Sequence, residues 1–142
     1  MALTLVDIGA DAILKKYFND TDPTGGQNLT LKLFTSNTTP ADTDTQATYT
    51  EATGGGYVVK TLTSGSWTVT VGNDPSDAVY AQQTWTFTGA LTGSASIYGY
   101  YVVNADNILI WAERLGATFT PTSNGDQLLI TPKFQMSKGT PA

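Results

Sequence analysis

Two pairs of aspartates lie in polar segments at the spacing with which calcium-binding loops begin. Asp20 is followed two residues later by Asp22, and Asp42 by Asp44. Ca²⁺ takes oxygen ligands from alternate residues of such a loop. Position twelve of the first loop is Leu31, however, whereas an EF-hand needs a bidentate Glu there. We therefore predict structural loops at both pairs, and a weak Ca²⁺ site remains the alternative.

Residue types that usually carry catalysis are scarce in this sequence. There is no His and no Cys, which removes the commonest general base and the thiolate nucleophile. No G-x-S-x-G motif occurs, and the glycines at 54–56 are not followed by the Lys-Ser/Thr of a phosphate loop. The acids lie almost wholly in predicted loops, so no carboxylate pair is singled out for glycoside hydrolysis. The sequence predicts a protein that is not an enzyme and needs no cofactor.

The charge balance excludes several partners. The sequence has twelve acidic and seven basic residues, and its longest basic run is Lys15-Lys16. Its surface should therefore repel a nucleic-acid phosphate backbone. No apolar run approaches the roughly 18 residues of a membrane span, and Asp7 and Asp11 interrupt any signal-like start. We expect cytosolic synthesis and no nucleic-acid or membrane partner. Only 13% of residues are charged, about half the usual quarter, which suggests that neighbouring proteins cover much surface.

One helical pattern stands at the N-terminus. Residues 7–18 place apolar side chains at the helical spacing, and Asp7 can cap the first turn. These apolar residues are Ala10, Ile13, Leu14, Tyr17 and Phe18. We assign residues 1–28 to an N-terminal helical arm and residues 29–142 to a single β domain.

Beyond residue 28 the apolar period changes from 3.6 to 2, which indicates strands. Residues 57–63 and 66–71 predict a β-hairpin, because the two residues between them, Ser64 and Gly65, suit a tight turn. Residues 72–78 are rich in turn formers and predict a turn.

Three further segments complete the pattern. Residues 83–89 alternate, with Trp85 and Phe87 on the inward face. Residues 36–56 form a long polar loop or carry a short edge strand near Tyr49. Pro132 requires an edge position or a break. About eight short strands with frequent turns predict an all-β fold, an antiparallel β-sandwich that is jelly-roll-like, with one N-terminal helix or arm.

The richest aromatic segment predicts a second hairpin. Residues 96–104 and 107–115 flank a turn at Ala105-Asp106, and both faces of the pair are apolar. Strict alternation places Ile97, Tyr101 and Val103 on one face. Tyr98, Tyr100 and Val102 then lie on the other face. Since a strand buried on one face alone would alternate with polar residues, we expect a central hairpin. Its second face should pack against the N-terminal helix or another chain.

Aromatic rings in this hairpin suit a protein core, a protein interface or, less well, a carbohydrate platform. Glu113 and Arg114 are adjacent on a strand and must face opposite sides, so they either enter solvent or form an inter-subunit salt bridge. We predict interface contacts at eight residues: Tyr98, Tyr100, Trp111, Glu113, Arg114, Tyr49, Tyr17 and Phe18.

The order of motifs resembles a family of small tailed-bacteriophage virion proteins. The segments that carry the resemblance are DIGADAILKKYF, LTLKLFTSNTTP, YTEATGGGYVVKTL, WTVT, QTWTFTG, IYGYYVVNADNILIWAERL and NGDQLLITPKFQMS. The resemblance implies a structural protein of the virion, similar to capsid decoration (cement) proteins, with a β-sandwich or jelly-roll fold and no catalytic residues. The implied location is the capsid surface, and the implied partners are the major capsid protein and copies of itself in a homotrimer.

Within that family resemblance, residues 1–28 and 36–56 are the segments expected to reach across capsid subunits. Two alternatives stay open. One is a tail or baseplate component such as a fibre adaptor. The other is a carbohydrate-binding adhesion module that uses Trp67, Trp85 or Trp111.

Overall fold

The structure is a computed structural model that describes residues 4–6, 8–9, 28–70 and 76–136. Within these ranges the chain is all-β, and every strand pairing is antiparallel. Two short 3-10 helices, Gln46–Thr48 and Thr92–Ser94, interrupt the loops. The strands are β1 (Thr4–Leu5), β2 (Leu29–Phe34), β3 (Lys60–Leu62), β4 (Thr68–Thr70), β5 (Ser76–Val79), β6 (Gln83–Thr86), β7 (Ile97–Val103), β8 (Leu109–Phe119), β9 (Gln127–Ile130) and β10 (Lys133–Met136).

The strands form three sheets. A five-stranded sheet has the order β1-β8-β7-β2-β3, a three-stranded sheet the order β10-β5-β4, and β6 pairs with β9. The five-stranded sheet is buried on both faces. On one face a large cluster unites side chains from the five-stranded sheet with Trp85 of β6 and Ile130 of β9. On the other face a smaller cluster gathers Val6, Phe34, Tyr49, Tyr101, Val103, Leu109 and Ala112.

The predicted hairpin around Ala105-Asp106 is confirmed, because β7 and β8 pair along most of their length. Its turn is organised by one buried side chain. Asn104 Oδ1 accepts hydrogen bonds from the backbone N–H groups of Asp106 (3.0 Å) and Ile108 (2.9 Å). Asn107 has φ 59°, a left-handed conformation that Asn tolerates better than most residues. The turn therefore satisfies its own polar groups and can form without help from distant segments.

Strict alternation along β7 is wrong at its first two residues. Tyr98 packs against the smaller cluster with Tyr101 and Val103, not with Tyr100 and Val102. Ile97 packs in the large cluster with Tyr100 and Val102, not with Tyr101 and Val103. The pairing is irregular there, since Ile97 pairs with Phe119 and Gly99 with Arg114. Two steps along β7 correspond to five along β8, and such a bulge changes which face a side chain occupies.

Gly99 is required at this irregularity. A Cβ there would collide with the backbone oxygen of Glu113 and with the ring of Phe34. The missing side chain lets the Phe34 ring lie directly on the backbone of β7. This close approach seals the smaller cluster.

The predicted hairpin over residues 57–71 is wrong. β3 pairs with β2, and β4 pairs with β5, so the two strands belong to different sheets. A tight turn does exist, in which the Ser66 N–H donates to the carbonyl of Thr63 (3.2 Å). Side chains from distant parts of the sequence accept hydrogen bonds from other backbone N–H groups of this turn. Asn28 Oδ1 accepts from the Ser64 N–H (2.8 Å), and the Tyr80 hydroxyl accepts from the Thr63 N–H (3.1 Å).

Other expectations have mixed outcomes. Residues 76–78, predicted as part of a turn, instead begin strand β5, which lies between β4 and β10, because two neighbouring strands supply its backbone partners. The alternation of residues 83–89 is confirmed, with Trp85 and Phe87 buried. Pro132 marks a break between β9 and β10, as predicted, and its carbonyl accepts from the Tyr80 N–H (2.9 Å).

The helix predicted over residues 7–18 lies outside the described residues except for 8 and 9, so its form stays a prediction. Among the residues that are described, no helix has the length and apolar character needed to cross a bilayer.

Candidate functional site

The most unusual polar group of the core is a carboxylate paired with a tyrosine. Tyr100 on β7 lies directly opposite Glu113 on β8, and residues opposite one another in an antiparallel pair share a face. The Tyr100 hydroxyl donates a hydrogen bond to Glu113 Oε2. Only 2% of Tyr100 and 9% of Glu113 is exposed. Burial, together with the hydrogen bond to Glu113 and its charge, raises the pKa of Tyr100, so this hydroxyl stays a neutral donor.

A cavity of about 310 Å³ opens beside this pair. Strands β8, β9 and β10 line it together with Tyr100 and Glu113, through Leu115, Leu129, Ile130, Thr131, Lys133 and Gln135. Buried carboxylates are costly unless hydrogen-bonded, and the Tyr100 hydroxyl offsets part of that cost. The cavity thus combines a buried acceptor, an apolar wall and a polar mouth.

Asp77 on β5 holds the mouth of the cavity in place. Its Oδ1 accepts a hydrogen bond from Gln135 Nε2 (2.7 Å), and its Oδ2 lies 3.3 Å from Lys133 Nζ. These contacts, led by the Gln135 hydrogen bond, lower the pKa of Asp77. The aspartate therefore stays ionised and keeps two long side chains of β10 in defined positions.

The opposite face of the β7–β8 hairpin is covered by residues 36–56 of the same chain. The Tyr49 ring stacks on Tyr101 at 5.3 Å between centroids and contacts Phe34 at 4.8 Å. The Thr35 N–H donates to Thr50 O (2.8 Å), and the Ala52 N–H donates to the carbonyl of Leu33 (2.9 Å). In the described part of the chain the second wall, expected from the N-terminal helix or another chain, is supplied by this segment together with Val6.

This result also corrects the expectation that residues 36–56 reach outward. The segment follows β2 through the bridge between Phe34 and Glu51. Glu51 is fixed by Lys32 Nζ (3.1 Å) and by the Tyr57 hydroxyl (3.3 Å). No regular edge strand forms near Tyr49 in the described residues. A 3-10 helix precedes Tyr49, and the bridge between Phe34 and Glu51 follows it.

Asp44 closes the loop that was considered for calcium. Its Oδ2 accepts hydrogen bonds from the Ala41 N–H (2.9 Å) and from the Tyr49 hydroxyl (2.6 Å). Burial, with Asp44 beside it, raises the pKa of Tyr49. In the described part of the chain no three carboxylates, histidines or cysteines come together to hold a metal ion. Asp20 and Asp22 lie outside the described residues.

Arg114 faces away from Glu113, as strand alternation predicts, and its partners belong to its own chain. Its guanidinium donates to Thr38 O (2.9 Å) and to Asn37 Oδ1 (2.6 Å). The same group lies 5.2 Å from the centre of the Tyr98 ring. Arg114 therefore fastens the start of the 36–56 segment to strand β8.

Half of the residues predicted as interface contacts are packed inside the fold: Tyr49, Tyr100, Trp111 and Glu113. A partner chain has no access to these side chains, so they are corrected to core residues. Tyr98 and Arg114 are half-buried, and Tyr17 and Phe18 lie outside the described residues. The sequence analysis missed Asp77, Lys133 and Gln135. The alternation of Lys133 and Gln135 on one face of β10 was the available signal, but their partner comes from another strand.

The tryptophans do not form an open platform for sugar rings. Trp85 and Trp111 are each 2% exposed, and Trp85 Nε1 donates to the carbonyl of Val58 (2.7 Å). Trp67 is half-buried, 6.2 Å from Trp111 between ring centroids. A second cavity, of about 200 Å³, lies against Trp67 and Trp111 and has a wholly apolar lining. Such a lining offers nothing that could orient sugar hydroxyls.

No family model matches this sequence, and neither the curated proteins nor the solved structures contain a match to it.

Proposed function

We propose that this chain is a structural protein of a tailed-phage virion, and specifically a capsid decoration (cement) protein. It would bind the major capsid protein and copies of itself, as a homotrimer on the capsid surface. The family resemblance of its motifs supports this assignment. The proposed architecture is an antiparallel, jelly-roll-like sandwich with an N-terminal helical arm. A large core cluster shared by the five-stranded sheet and the two smaller sheets supports the sandwich.

The observation that carries the proposal is the exposure of uncharged, β-branched residues at two sheet edges. Val58 and Val59, which precede edge strand β3, are 60% and 41% exposed, and Val69 on edge strand β4 is 62% exposed. Both neighbours of Val69, Thr68 and Thr70, are exposed as well. Soluble monomers usually protect such edges with charges, prolines or bulges.

The edge strand β4 is a template for pairing with another chain. Within the described residues it pairs with β5 alone. Its sequence, Thr-Val-Thr, has high β-propensity and no charge. A protein built to be covered by neighbours needs no protection there. The low overall charge of the chain, 13%, points the same way.

The experiment that tests this proposal is sedimentation velocity on the wild type and on Val69→Lys. Lysine on an edge strand blocks strand addition by burying a charge in the new pair. We expect an oligomeric wild type and a variant shifted to monomer with an unchanged circular dichroism spectrum. Thr43→Lys is the matched control, because Thr43 is also exposed but lies in a turn outside the strands that the structure describes.

Binding to the particle is the second measurement. Immunogold labelling of virions that contain the protein should decorate the capsid surface, and label on the tail would favour the baseplate alternative. A wild type that is strictly monomeric and fails to bind capsids would end the proposal.

A further inference from the structure

The cavity beside the Tyr100–Glu113 pair leaves one buried acceptor available. Oε2 of Glu113 accepts from the Tyr100 hydroxyl, while the described residues supply no hydrogen bond to Oε1. Glu113 is 9% exposed, and what remains accessible faces the cavity that it lines. Glu113 Oε1 is not fully enclosed, but a carboxylate oxygen that faces a narrow cavity is less well hydrated than one in open solvent, so a donor that enters the cavity is favoured.

The charges around the cavity favour an uncharged ligand. Lys133 lines the mouth and repels a cation that approaches Glu113. Lys133 is itself paired with Asp77, and Glu113 repels an anion that approaches the lysine. An anion therefore meets Glu113, and a cation meets Lys133 with part of its charge offset by Asp77, so a neutral ligand meets the least repulsion.

The remaining lining has two kinds of surface. Leu115, Leu129 and Ile130 form an apolar wall, and Thr131 and Gln135 add groups that both donate and accept hydrogen bonds. A sugar ring has the same two-sided chemistry, with apolar C–H faces and hydroxyls around its edge. The volume of about 310 Å³ is at the lower end for small-molecule sites, which suits one ring better than several.

We propose that this cavity binds one uncharged sugar ring, with a ring hydroxyl donating to Glu113 Oε1 and the C–H face of the ring against Leu129. This site is separate from the buried tryptophans that the sequence indicated as a platform. The proposal goes beyond the structural role in the virion and does not depend on it. A decoration protein with such a site could also attach the particle to glycans.

Saturation-transfer NMR on the full-length protein tests the site with glucose, galactose, mannose and N-acetylglucosamine. Butylamine and acetate serve as cationic and anionic probes. We expect at least one neutral sugar to bind with a Kd of about 1–10 mM, as is reasonable for a single ring. Binding of butylamine or acetate with no sugar binding would overturn the proposal, as would the absence of any sugar binding.

Leu129→Trp localises the site. Leu129 is 49% exposed, so a larger ring is tolerated by the fold and fills the cavity mouth. We expect at least a tenfold loss of sugar affinity. Thr61→Trp is the matched control, since it adds the same side chain at an exposed position on β3 outside the cavity. Sugar binding that survives Leu129→Trp, or that Thr61→Trp weakens equally, would show that the cavity is not the site.

Glu113→Gln tests the acceptor without changing the volume of the side chain. The neutral amide accepts a hydrogen bond less strongly than a carboxylate, and we expect about a tenfold loss of affinity. Thr131→Val, an exposed and nearly isosteric change, should give a smaller loss. If both variants fold normally and bind the sugar as the wild type does, the proposed hydrogen bonding is wrong.

Discussion

The two segments that the sequence predicts as hairpins fold in different ways. Residues 96–115 form one, whereas the described part of the other, residues 57–70, divides between two sheets. The first has a turn whose N–H groups are satisfied by Asn104, inside the hairpin itself. The turn at Ser64-Gly65 is held by Asn28 and Tyr80, which come from elsewhere in the chain. Alternation indicated strands in both cases. Which strands pair depended on whether the side chains that accept the turn's hydrogen bonds come from the hairpin itself or from elsewhere in the chain.

Burial differs between the two segments as strongly as pairing does. Strand β7 is buried on both faces, whereas all three residues of β4 are exposed. A fully buried aromatic or aliphatic side chain contributes about 1.5–3 kcal/mol relative to an exposed one. The first segment therefore stabilises the fold, and strand β4 of the second segment is free to serve association.

Alkaline pH should have the largest effect, and it should distinguish Tyr80, whose hydroxyl holds the turn of the second segment, from the buried tyrosines of the fold. Tyr57 in the second segment belongs with the buried tyrosines, because burial raises its pKa as well. Burial raises the pKa of Tyr100 and of Tyr101 on β7, and the backbone N–H of Thr63 lowers the pKa of Tyr80. Below pH ~10 the raised groups are neutral in both states, and stability is complete. Above it the unfolded chain loses protons that the folded chain keeps, so stability falls as pH rises.

Absorbance of tyrosinate and far-UV circular dichroism, recorded together from pH 8 to 12, check this prediction. Tyr80 should ionise while the β-sheet signal is intact, and Tyr80→Phe should remove that early step. The ionisation of Tyr100 and Tyr101 should coincide with unfolding. If all tyrosines titrate together with the fold intact, the contrast between Tyr80 and the buried tyrosines of β7 is wrong.

Replacing one tryptophan in each segment by alanine should give the next largest difference, in the free energy of unfolding. Trp111→Ala should lower the free energy of unfolding by about 3–5 kcal/mol, because it empties a site in the centre of the large cluster. Trp67→Ala removes a half-buried ring and should cost clearly less, about 1–2 kcal/mol. Urea denaturation measures both. Equal losses would mean that Trp67 is as much a part of the core as Trp111.

The turns themselves can be compared by single substitutions. Asn104→Ala removes a buried side chain that accepts hydrogen bonds from two backbone N–H groups of the turn, and we expect a loss of about 2 kcal/mol. Gly65→Ala places a side chain at φ 82° in an open, exposed turn and should cost about 1 kcal/mol. The same urea titrations apply. If Gly65→Ala lowered the free energy of unfolding more than Asn104→Ala, the turn at Ser64-Gly65 would be the one that directs the pairing of its strands.

The smallest effect is expected at the exposed edge. Val69→Thr keeps the β-branched shape and should change the free energy of unfolding of dilute protein by less than about 0.5 kcal/mol. A loss above 1 kcal/mol in a monomeric sample would show that β4 contributes to the core of its own chain.

Several features followed from the sequence alone, for local reasons. The all-β class, the buried Trp85 and Phe87, the opposite directions of Glu113 and Arg114 and the break at Pro132 all depend on a period of two or on the chemistry of one residue. The hairpin of residues 96–115 belongs with them, because its turn and its apolar runs are contiguous.

Only the tertiary structure decided which distant segments meet. Three features join parts of the chain that are far apart in sequence. Residues 36–56 cover Tyr101, and residues 57–70 divide between two sheets. The cavity has a mouth held by Asp77, Lys133 and Gln135. Alternation shows which residues of a strand share a face. It does not distinguish between possible partners, because any apolar surface satisfies the same pattern. The choice among partners is made by close packing and by the pairing of buried polar groups, and both exist only once the chain has folded.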